Sequence, residues 1–468
     1  MKKITLFKNL LIASCFIVGH SSAQSVSFTN ASGSPVSCSS NPRGIVSADF
    51  NGDGKIDYAV GTATSNQVYI YLGQGNGTFV NAPGSPMTVG NGPIHISVAD
   101  LNGDSKPDLI IPFYSDGTVG VYLGTGNGSF TMSGTALPAG NNPYFSAIAD
   151  FNNDGKLDFA EVNQGTADVY VYLGNGSGSF TVTPSSPITV GSSPYCVVST
   201  DFNGDGKADL AVVDAGTNAV EILLGNGNGT FTAATGSPIH VGPTPRLACI
   251  SDFNGDGKKD LAVTNFGSSN LTILLGNGNG TFNSSSTPTG NAPYEVVPAD
   301  INFDGKMDVM VSNALDNTVS VLFGDGAGGF TQATGSPVST SPGTDPQSMC
   351  LAAFTGSHEI DIAVANYATS NVSILVEGTP FGIQESTITH SISLFPNPSN
   401  GTFTLQVSQL GVSLKLKICS ALGKELKSVN ITTLLTDISL NEVSAGVYFY
   451  KLMDGNQSVG SSKLVIEK

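Results

Sequence analysis

Three features of the sequence predict an all-β fold. Glycine is abundant, with 57 among 468 residues, tryptophan is absent and only 12% of residues are charged; this composition favours short strands joined by tight turns over long helices. An acidic stretch recurs, in its clearest copy Asp201-Phe202-Asn203-Gly204-Asp205-Gly206-Lys207-Ala208-Asp209, with starts at Asp49, Asp100, Asp150, Asp201, Asp252 and Asp300. A period of about 50 residues marks a propeller, a solenoid or an array. Four short apolar runs surround each copy, and four strands per unit make a propeller blade. The expected architecture is a seven-bladed β-propeller over residues 24–380, a linker at 381–390 and a small C-terminal β-sandwich over 391–468.

Residues 1–23 read as a signal peptide. Lys2, Lys3 and Lys8 precede an apolar run at 10–18, and Ser21-Ser22-Ala23 offers small residues for cleavage. The run is too short for a permanent anchor. The competing reading, a lipoprotein box at Ile12-Ala13-Ser14-Cys15, is weakened because Lys8 interrupts the apolar segment before it and Phe16-Ile17-Val18 continue it afterwards. No other segment is long and apolar enough to be a transmembrane segment of the mature chain. Cleavage removes three lysines and no acid, taking the formal charge from −17 to −20, which argues against nucleic acid as a partner. Five cysteines then remain, Cys38, Cys196, Cys249, Cys350 and Cys419, an odd number at unrelated repeat positions and so no disulfide framework.

Within a repeat, one strand enters the acidic stretch (94–99), a second leaves it (210–213), and a turn leads to a third (219–224). The glycine-rich Gly225-Asn226-Gly227-Asn228-Gly229 is a hairpin signal before a fourth strand opening at Phe231. Corresponding openings fall at Phe28, Phe79, Phe130, Phe180, Phe282 and Phe330. Phe28 lies ahead of any acidic stretch, whereas the seventh unit loses its glycine turn to Glu377-Gly378-Thr379-Pro380. Residues 25–35 are therefore expected to supply the outer strand of the seventh blade, pairing both chain ends and removing exposed edges.

The acidic stretches place oxygen ligands at positions 1, 3, 5 and 9, with Gly at 6, the alternation that wraps a hard cation. These are Asp49, Asn51, Asp53 and Asp57 in the first; Asp100, Asn102, Asp104 and Asp108 in the second; and Asp150, Asn152, Asp154 and Asp158 in the third. The fourth offers Asp201, Asn203, Asp205 and Asp209, the fifth Asp252, Asn254, Asp256 and Asp260, and the sixth Asp300, Asn302, Asp304 and Asp308. At position 7, Lys55, Lys106, Lys156, Lys207, Lys258 and Lys306 offer main-chain carbonyls. Two like charges about 4 Å apart at an effective dielectric near 20 repel by roughly 4 kcal/mol, so three carboxylates per loop favour a bound cation. About six structural Ca2+ sites are expected, moving the mature charge from −20 to −8.

An EF-hand would need Glu at position 12 and helices on both sides, whereas position 12 is Val60, Ile111, Glu161, Val212, Val263 and Val311 between β-type runs. Metal-free polar turns are the plain alternative. Ser105 occupies position 6 of loop two, where the turn favours glycine, so that site should be weaker. The seventh copy, residues 353–361, keeps only Asp361 and is expected to bind nothing.

Together the acidic loops, glycine turns and blade count resemble the FG-GAP or VCBS-type repeats of integrin α-subunit propellers and of many secreted bacterial proteins. The resemblance covers residues 24–380. It implies seven blades, cations in the hairpin between the first two strands of a blade, and metal that stabilises rather than catalyses.

Antiparallel strands send the acidic loops and glycine turns to one face, and the entries to the first strands to the other. Six residues before each loop start, just after a Pro, stand Arg43, Ile94, Tyr144, Tyr195, Arg246, Tyr294 and Gln347. First strands line a propeller's channel, so these side chains should ring its mouth. Both arginines of the chain lie in this register, and arginine with tyrosine suits recognition of carboxylates, sulfates or sugar rings. A ligand ring of Arg43, Tyr144, Tyr195, Arg246, Tyr294 and Gln347 is the candidate site. A second polar register, Asn163, Asp214, Asn265, Asn313 and Asn366, ends the second strands. The plain alternative for both registers is bracing of neighbouring loops.

No catalytic constellation is visible: His95, His240, His358 and His390 share no register or metal-ligand spacing, and no nucleophile elbow or phosphate loop occurs. The leading expectation is a non-catalytic binding or adhesion module for a glycan or protein. A polysaccharide lyase or hydrolase using His95 with the tyrosines is the alternative, and a pure surface-layer role the third.

The tail carries Phe395-Pro396-Asn397-Pro398-Ser399-Asn400-Gly401, Ala445-Gly446-Val447-Tyr448-Phe449 and a terminal Lys463-Leu464-Val465-Ile466-Glu467-Lys468. It resembles the C-terminal sorting domain of the Bacteroidetes type IX secretion system. That implies the secretion machinery as a partner, periplasmic transit, and release or attachment at the cell surface. An ordinary accessory sandwich is the alternative.

Overall fold

Runs of β-branched and aromatic residues between Gly- and Asn-rich turns fold as strands throughout, and no helix occurs among the described residues. The computed structural model describes residues 25–356, 360–378 and most of 392–467; the signal peptide expected at 1–23 and the linker at 381–390 lie outside the described residues. The chain divides into two units, one holding the repeats and one the C-terminal segment.

The first unit contains seven antiparallel sheets of four or five strands. Sheet one runs Pro42–Ala48, Asp57–Thr62, Gln67–Gly73 and Phe79–Asn81, with the short Met87–Thr88 also against its third strand. The first strands of sheets two to seven are Ser97–Ala99, Pro143–Ala149, Pro194–Thr200, Pro245–Ser251, Pro293–Ala299 and Pro346–Ala352. Each touches the first strand before and after it, and Pro346–Ala352 touches Pro42–Ala48, so the contacts run in a closed cycle. The seventh sheet is composite: Phe28–Asn30 pairs with Asn371–Glu377, with Phe28 opposite Glu377 and Asn30 opposite Leu375.

Second strands such as Asp57–Thr62 are buried along their whole length in all seven sheets. Sheets stacked on both sides explain why they read as continuous apolar runs without alternation. An aromatic stands at position 2 in five of the seven loops and joins one sheet to the next, whereas loops two and six carry Leu101 and Ile301 there. Phe50 meets Phe130, Phe151 meets Phe231, Phe202 meets Phe282, Phe253 meets Phe330 and Phe354 meets Phe79, all edge-to-face at 5.4–5.6 Å. The carbonyl of the same loop residue accepts from the neighbouring glycine turn, as Phe50 O does from Gly128 N and Phe354 O from Gly77 N. Burying each such ring stabilises by about 1.5–3 kcal/mol, and the Phe354 contact applies this join between sheets seven and one.

The second unit has a three-stranded sheet (Ile392–Phe395, Thr402–Val407, Leu435–Ser439) and a four-stranded one ordered Glu425–Asn430, Leu414–Ser420, Gly446–Asp454, Gln457–Ile466. Alternate residues Phe403, Leu405 and Val407 from one and Tyr448, Tyr450 and Leu452 from the other enter a single core. The Pro-Asn-Pro-Ser motif joins the last strand: Ser399 N donates to Val465 O at 2.9 Å, and Asn397 Oδ1 accepts from Val465 N at 2.8 Å.

Candidate functional site

The acidic loops are built by their own backbone. In loop one the Asp49 carboxylate accepts from the N–H groups of Gly52, Asp53 and Gly54, Asn51 Oδ1 from Asp53 N, and Asp53 Oδ1 from Lys55 N. Such bonds require left-handed residues inside the turn. Gly54 has φ +82°, and Ser105 in loop two accepts the same conformation at +67°, as its place in the motif anticipated. Position 4 carries a strain missed in the sequence reading: Asn153 and Phe303 stand there at φ +59° and +56°, where loops one, two, four and five have Gly. The position-7 lysines pair with the position-5 carboxylates at 3.1–4.0 Å across the solvent-facing side, where water screens the attraction.

Position 9 differs from the other acidic positions. Asp57 is fully buried, its Oδ2 accepting from Phe50 N and its Oδ1 from Gly73 N, both at 2.8 Å. The same pair of bonds, at 2.7–2.9 Å, is made by Asp108, Asp158, Asp209, Asp260 and Asp308. This carboxylate fastens the loop to the start of the second strand and the end of the third. Burial first, then the charges of Asp49 and Asp53, pushes Asp57 up to about 6. Asp108 and Asp158 are likewise raised to about 6 and Asp308 to about 7, in each case chiefly by burial.

Among the described residues no three His, Cys, Asp or Glu side chains converge so as to hold a metal ion. In loop one the position-1 and position-5 oxygens point at backbone N–H groups of their own loop. The donor set itself, all oxygen and crowded with like charge, matches a hard cation.

At the other end of the strands the arginine and tyrosine register gathers into a lopsided cluster. A cavity of about 400 Å³ is lined by Arg43, Tyr195, Arg246, Tyr294 and Gln347 together with Phe266, Ala314, Leu315, Asn317, Thr344 and Asp345. The Arg246 guanidinium lies over the rings of Tyr195 (4.1 Å), Phe266 (4.8 Å) and Tyr294 (5.7 Å), and its Nε is buried without a hydrogen-bond partner. Arg43 lies over Tyr367 at 5.0 Å and donates from Nη1 to Tyr144 Oη at 3.0 Å. Gln347, 7% exposed, donates from Nε2 to Asp345, while its Oε1 is unpartnered. Burial raises the Asp345 carboxyl above its ordinary value, opposed by the Gln347 amide and the Arg43 charge.

The geometry sets two groups of these residues back from the cavity. Tyr144 does not line the cavity: it is only 4% exposed, and its hydroxyl shares a 2.7 Å hydrogen bond with Tyr294 Oη behind the rim, so it positions Arg43 and Tyr294. The register of Asn163, Asp214, Asn265, Asn313 and Asn366 is buried and faces inward. Asn265 Nδ2, for example, donates to Asn270 and Thr272, and Asn366 Nδ2 to Asn371 and Ser373, bracing the turn between second and third strands. Phe266, Leu315 and Asp345 were missed; they belong to turns, where residue spacing gives no side-chain direction.

His95 does not line this cavity but a small neighbouring space that shares Arg43, Tyr294 and Gln347 with it. Its ring stacks on Phe145 at 3.5 Å beside that space of about 20 Å³, and desolvation pushes its pKa down to about 3, leaving it neutral. His240 is exposed on a short outer strand, and His358 and His390 lie outside the described residues. The described cysteines Cys38, Cys196, Cys249 and Cys350 are unpaired. No helix among the described residues is long and apolar enough to cross a membrane.

A search of curated proteins finds no match. Among solved structures, BBS1N in complex with ARL6DN shares the fold at a TM-score of 0.52 and 10% identity, covering 76% of this chain and 98% of the other. A protein from Lactobacillus plantarum matches at 0.49 and 16% identity over 90% of this chain and 99% of its own. The periplasmic gluconolactonase PpgL of Pseudomonas aeruginosa matches at 0.49 and 16% over 88% and 100%. The FG-GAP-like repeat family matches residues 49–111, 110–161, 150–212, 201–250 and 252–311, and a secretion system C-terminal sorting domain matches 393–467. With the repeat matched over more than half of its residues, the chain belongs to the FG-GAP-like repeat family, and its C-terminal sorting domain marks it for type IX secretion to the cell surface or extracellular space.

Proposed function

We propose that the chain is a calcium-stabilised, seven-bladed β-propeller acting as a non-catalytic binding module for a glycan or protein at or beyond the cell surface, with a C-terminal sandwich serving export. The blade reading is supported by the seven sheets whose first strands touch in a cycle. Calcium binding is supported by the six registered oxygen-donor loops. Rotation of the solvent-facing position-1 and position-5 carboxylates away from their backbone partners would assemble Asp49, Asn51, Asp53 and Asp57 around one ion, and the corresponding residues in the other five loops.

The observation that carries the binding role is the cavity that collects both arginines of the chain on side chains converging from several sheets. Asp345 is the one acid in its lining and already accepts from Gln347, which favours holding a ligand over transforming it. The test is a glycan and surface-protein array probed with the mature chain and with the Arg43→Gln/Arg246→Gln double variant. A ligand retained by the parent and lost by the variant is expected. Equal affinity of both for every ligand found would remove the cavity from the function.

A further inference from the structure

Resting on the binding role just proposed, we infer that the cavity recognises a single carboxylate on an acidic sugar, a uronate, gripped by Arg246 and Arg43 with a ring hydroxyl donated to Gln347. The charge balance selects the anion. Two guanidinium groups face one carboxylate in the lining, leaving one positive charge for a ligand to neutralise. Neither Arg43 nor Arg246 makes an ion pair with a carboxylate among the described residues.

The shape of the donors selects the kind of anion. Tyr195, Phe266 and Tyr294 pack against the Arg246 guanidinium, and such stacking leaves its edge as the place for a hydrogen-bonded partner. An edge-on fork matches a planar carboxylate through two parallel bonds. The buried, unpartnered Nε belongs to that edge.

Gln347 adds a second requirement. Its amide nitrogen is committed to Asp345, so the orphaned Oε1 presents an acceptor that only a donor can satisfy. A ligand carrying a carboxylate and a neighbouring hydroxyl meets both demands, and a uronate carries them on one rigid ring. Leu315, 72% exposed at the rim, together with Phe266 and Ala314 supplies apolar surface for ring C–H groups. The confined volume of 400 Å³ suits a short sugar segment better than an extended peptide, whose capture usually relies on a free sheet edge or a backbone nest.

The test is calorimetric titration of the full mature chain with trigalacturonate and a glucuronate-containing trisaccharide, against their methyl esters, a 6-sulfated galactose oligomer and an acetylated tripeptide with a free C-terminus. The acids should bind and the esters, sulfated sugar and peptide should bind at least about tenfold more weakly. Arg246→Gln should weaken the acid about tenfold or more. Asp345→Asn should strengthen it several-fold, a gain that misfolding cannot produce; Asn also tolerates the φ of +56° at this position. No binding of either acid, binding of the esters or the sulfated sugar as tight as the acids, preference for the peptide, or weaker binding by Asp345→Asn would each overturn the assignment. A neutral glycan that is bound and then lost in the double arginine variant would keep the cavity as a binding site while defeating the uronate.

Discussion

Sheet seven and its six companions differ at one loop, and the difference separates two jobs that the acidic motif performs at once. In residues 353–361 the acids of positions 1 and 5 are replaced by Ala353 and Ser357, and Asn of position 3 by Thr355, yet Phe354 and Asp361 persist. Phe354 still meets Phe79, and Asp361 is still fully buried, accepting from Thr355 N at 2.8 Å and Glu377 N at 3.2 Å. Positions 2 and 9 therefore belong to the architecture of every sheet. Positions 1, 3 and 5 are dispensable for it, and their retention in six loops needs another cause, which the proposed cation supplies.

Chelation tests that division with the largest expected effect. At a hundredfold excess over Kd a bound ion stabilises by about 2.7 kcal/mol per site, so stripping several sites should lower the melting temperature by roughly 10 °C or more. Asp53→Asn should remove about one sixth of the calcium-dependent shift, whereas Thr355→Ala in loop seven should leave that shift unchanged. A melting curve indifferent to chelator would leave the six loops as metal-free turns. Next in size is deletion of residues 25–37, which strips Phe28–Asn30 from the seventh sheet and Val26 from its core. Losing several buried apolar side chains should cost about 5 kcal/mol, read by urea denaturation. An unchanged midpoint would mean that the composite sheet does not close the cycle energetically.

The position-9 carboxylates sharpen the comparison further. Asp158→Ala and Asp361→Ala should each cost about 3 kcal/mol, with or without calcium, because each removes a buried carboxylate that accepts from two backbone N–H groups. A large loss for Asp158 but none for Asp361 would show that the residue acts through the ion after all.

The strand order and the closure of sheet seven were legible because Phe28, Phe79 and their counterparts repeat with the glycine turn, and a one-residue error in that register would show at once. Position 9 was less legible: a buried structural carboxylate and a cation ligand look alike in a DxNxDGxxD pattern, and only the survival of Asp361 hinted at the distinction. The arginine register was found from spacing, but spacing could not say that Tyr144 turns behind the rim or that Phe266, Leu315 and Asp345 come forward from turns. The second polar register is ambiguous in sequence for a related reason. A buried Asn that braces a turn, such as Asn265, occupies the same strand end as one that would meet a ligand.

A pH-dependent effect is expected in sheet three, which carries Glu161 where five companion sheets have Val60, Ile111, Val212, Val263 and Val311. Glu161 is fully buried; one carboxyl oxygen is hydrogen-bonded by Ser146 Oγ and the other has no partner. Burial raises its pKa to about 8, against about 4.3 in an unfolded chain, so the folded state holds a proton that the unfolded state has lost between those values. Its stabilising contribution is therefore complete below about pH 4.3 and declines as pH rises toward 8. Glu161→Gln keeps an acceptor for Ser146 and cannot ionise. The variant's advantage over the parent should be small near pH 5 and grow to several kcal/mol by pH 9 in urea melts. Glu295, raised to about 7 mainly by burial, slopes the same way, so the variant should flatten the parent's pH dependence without abolishing it. A gap between parent and variant that is constant from pH 5 to 9 would show that the acid at this position is ionised in the folded protein and that sheet three accommodates the charge.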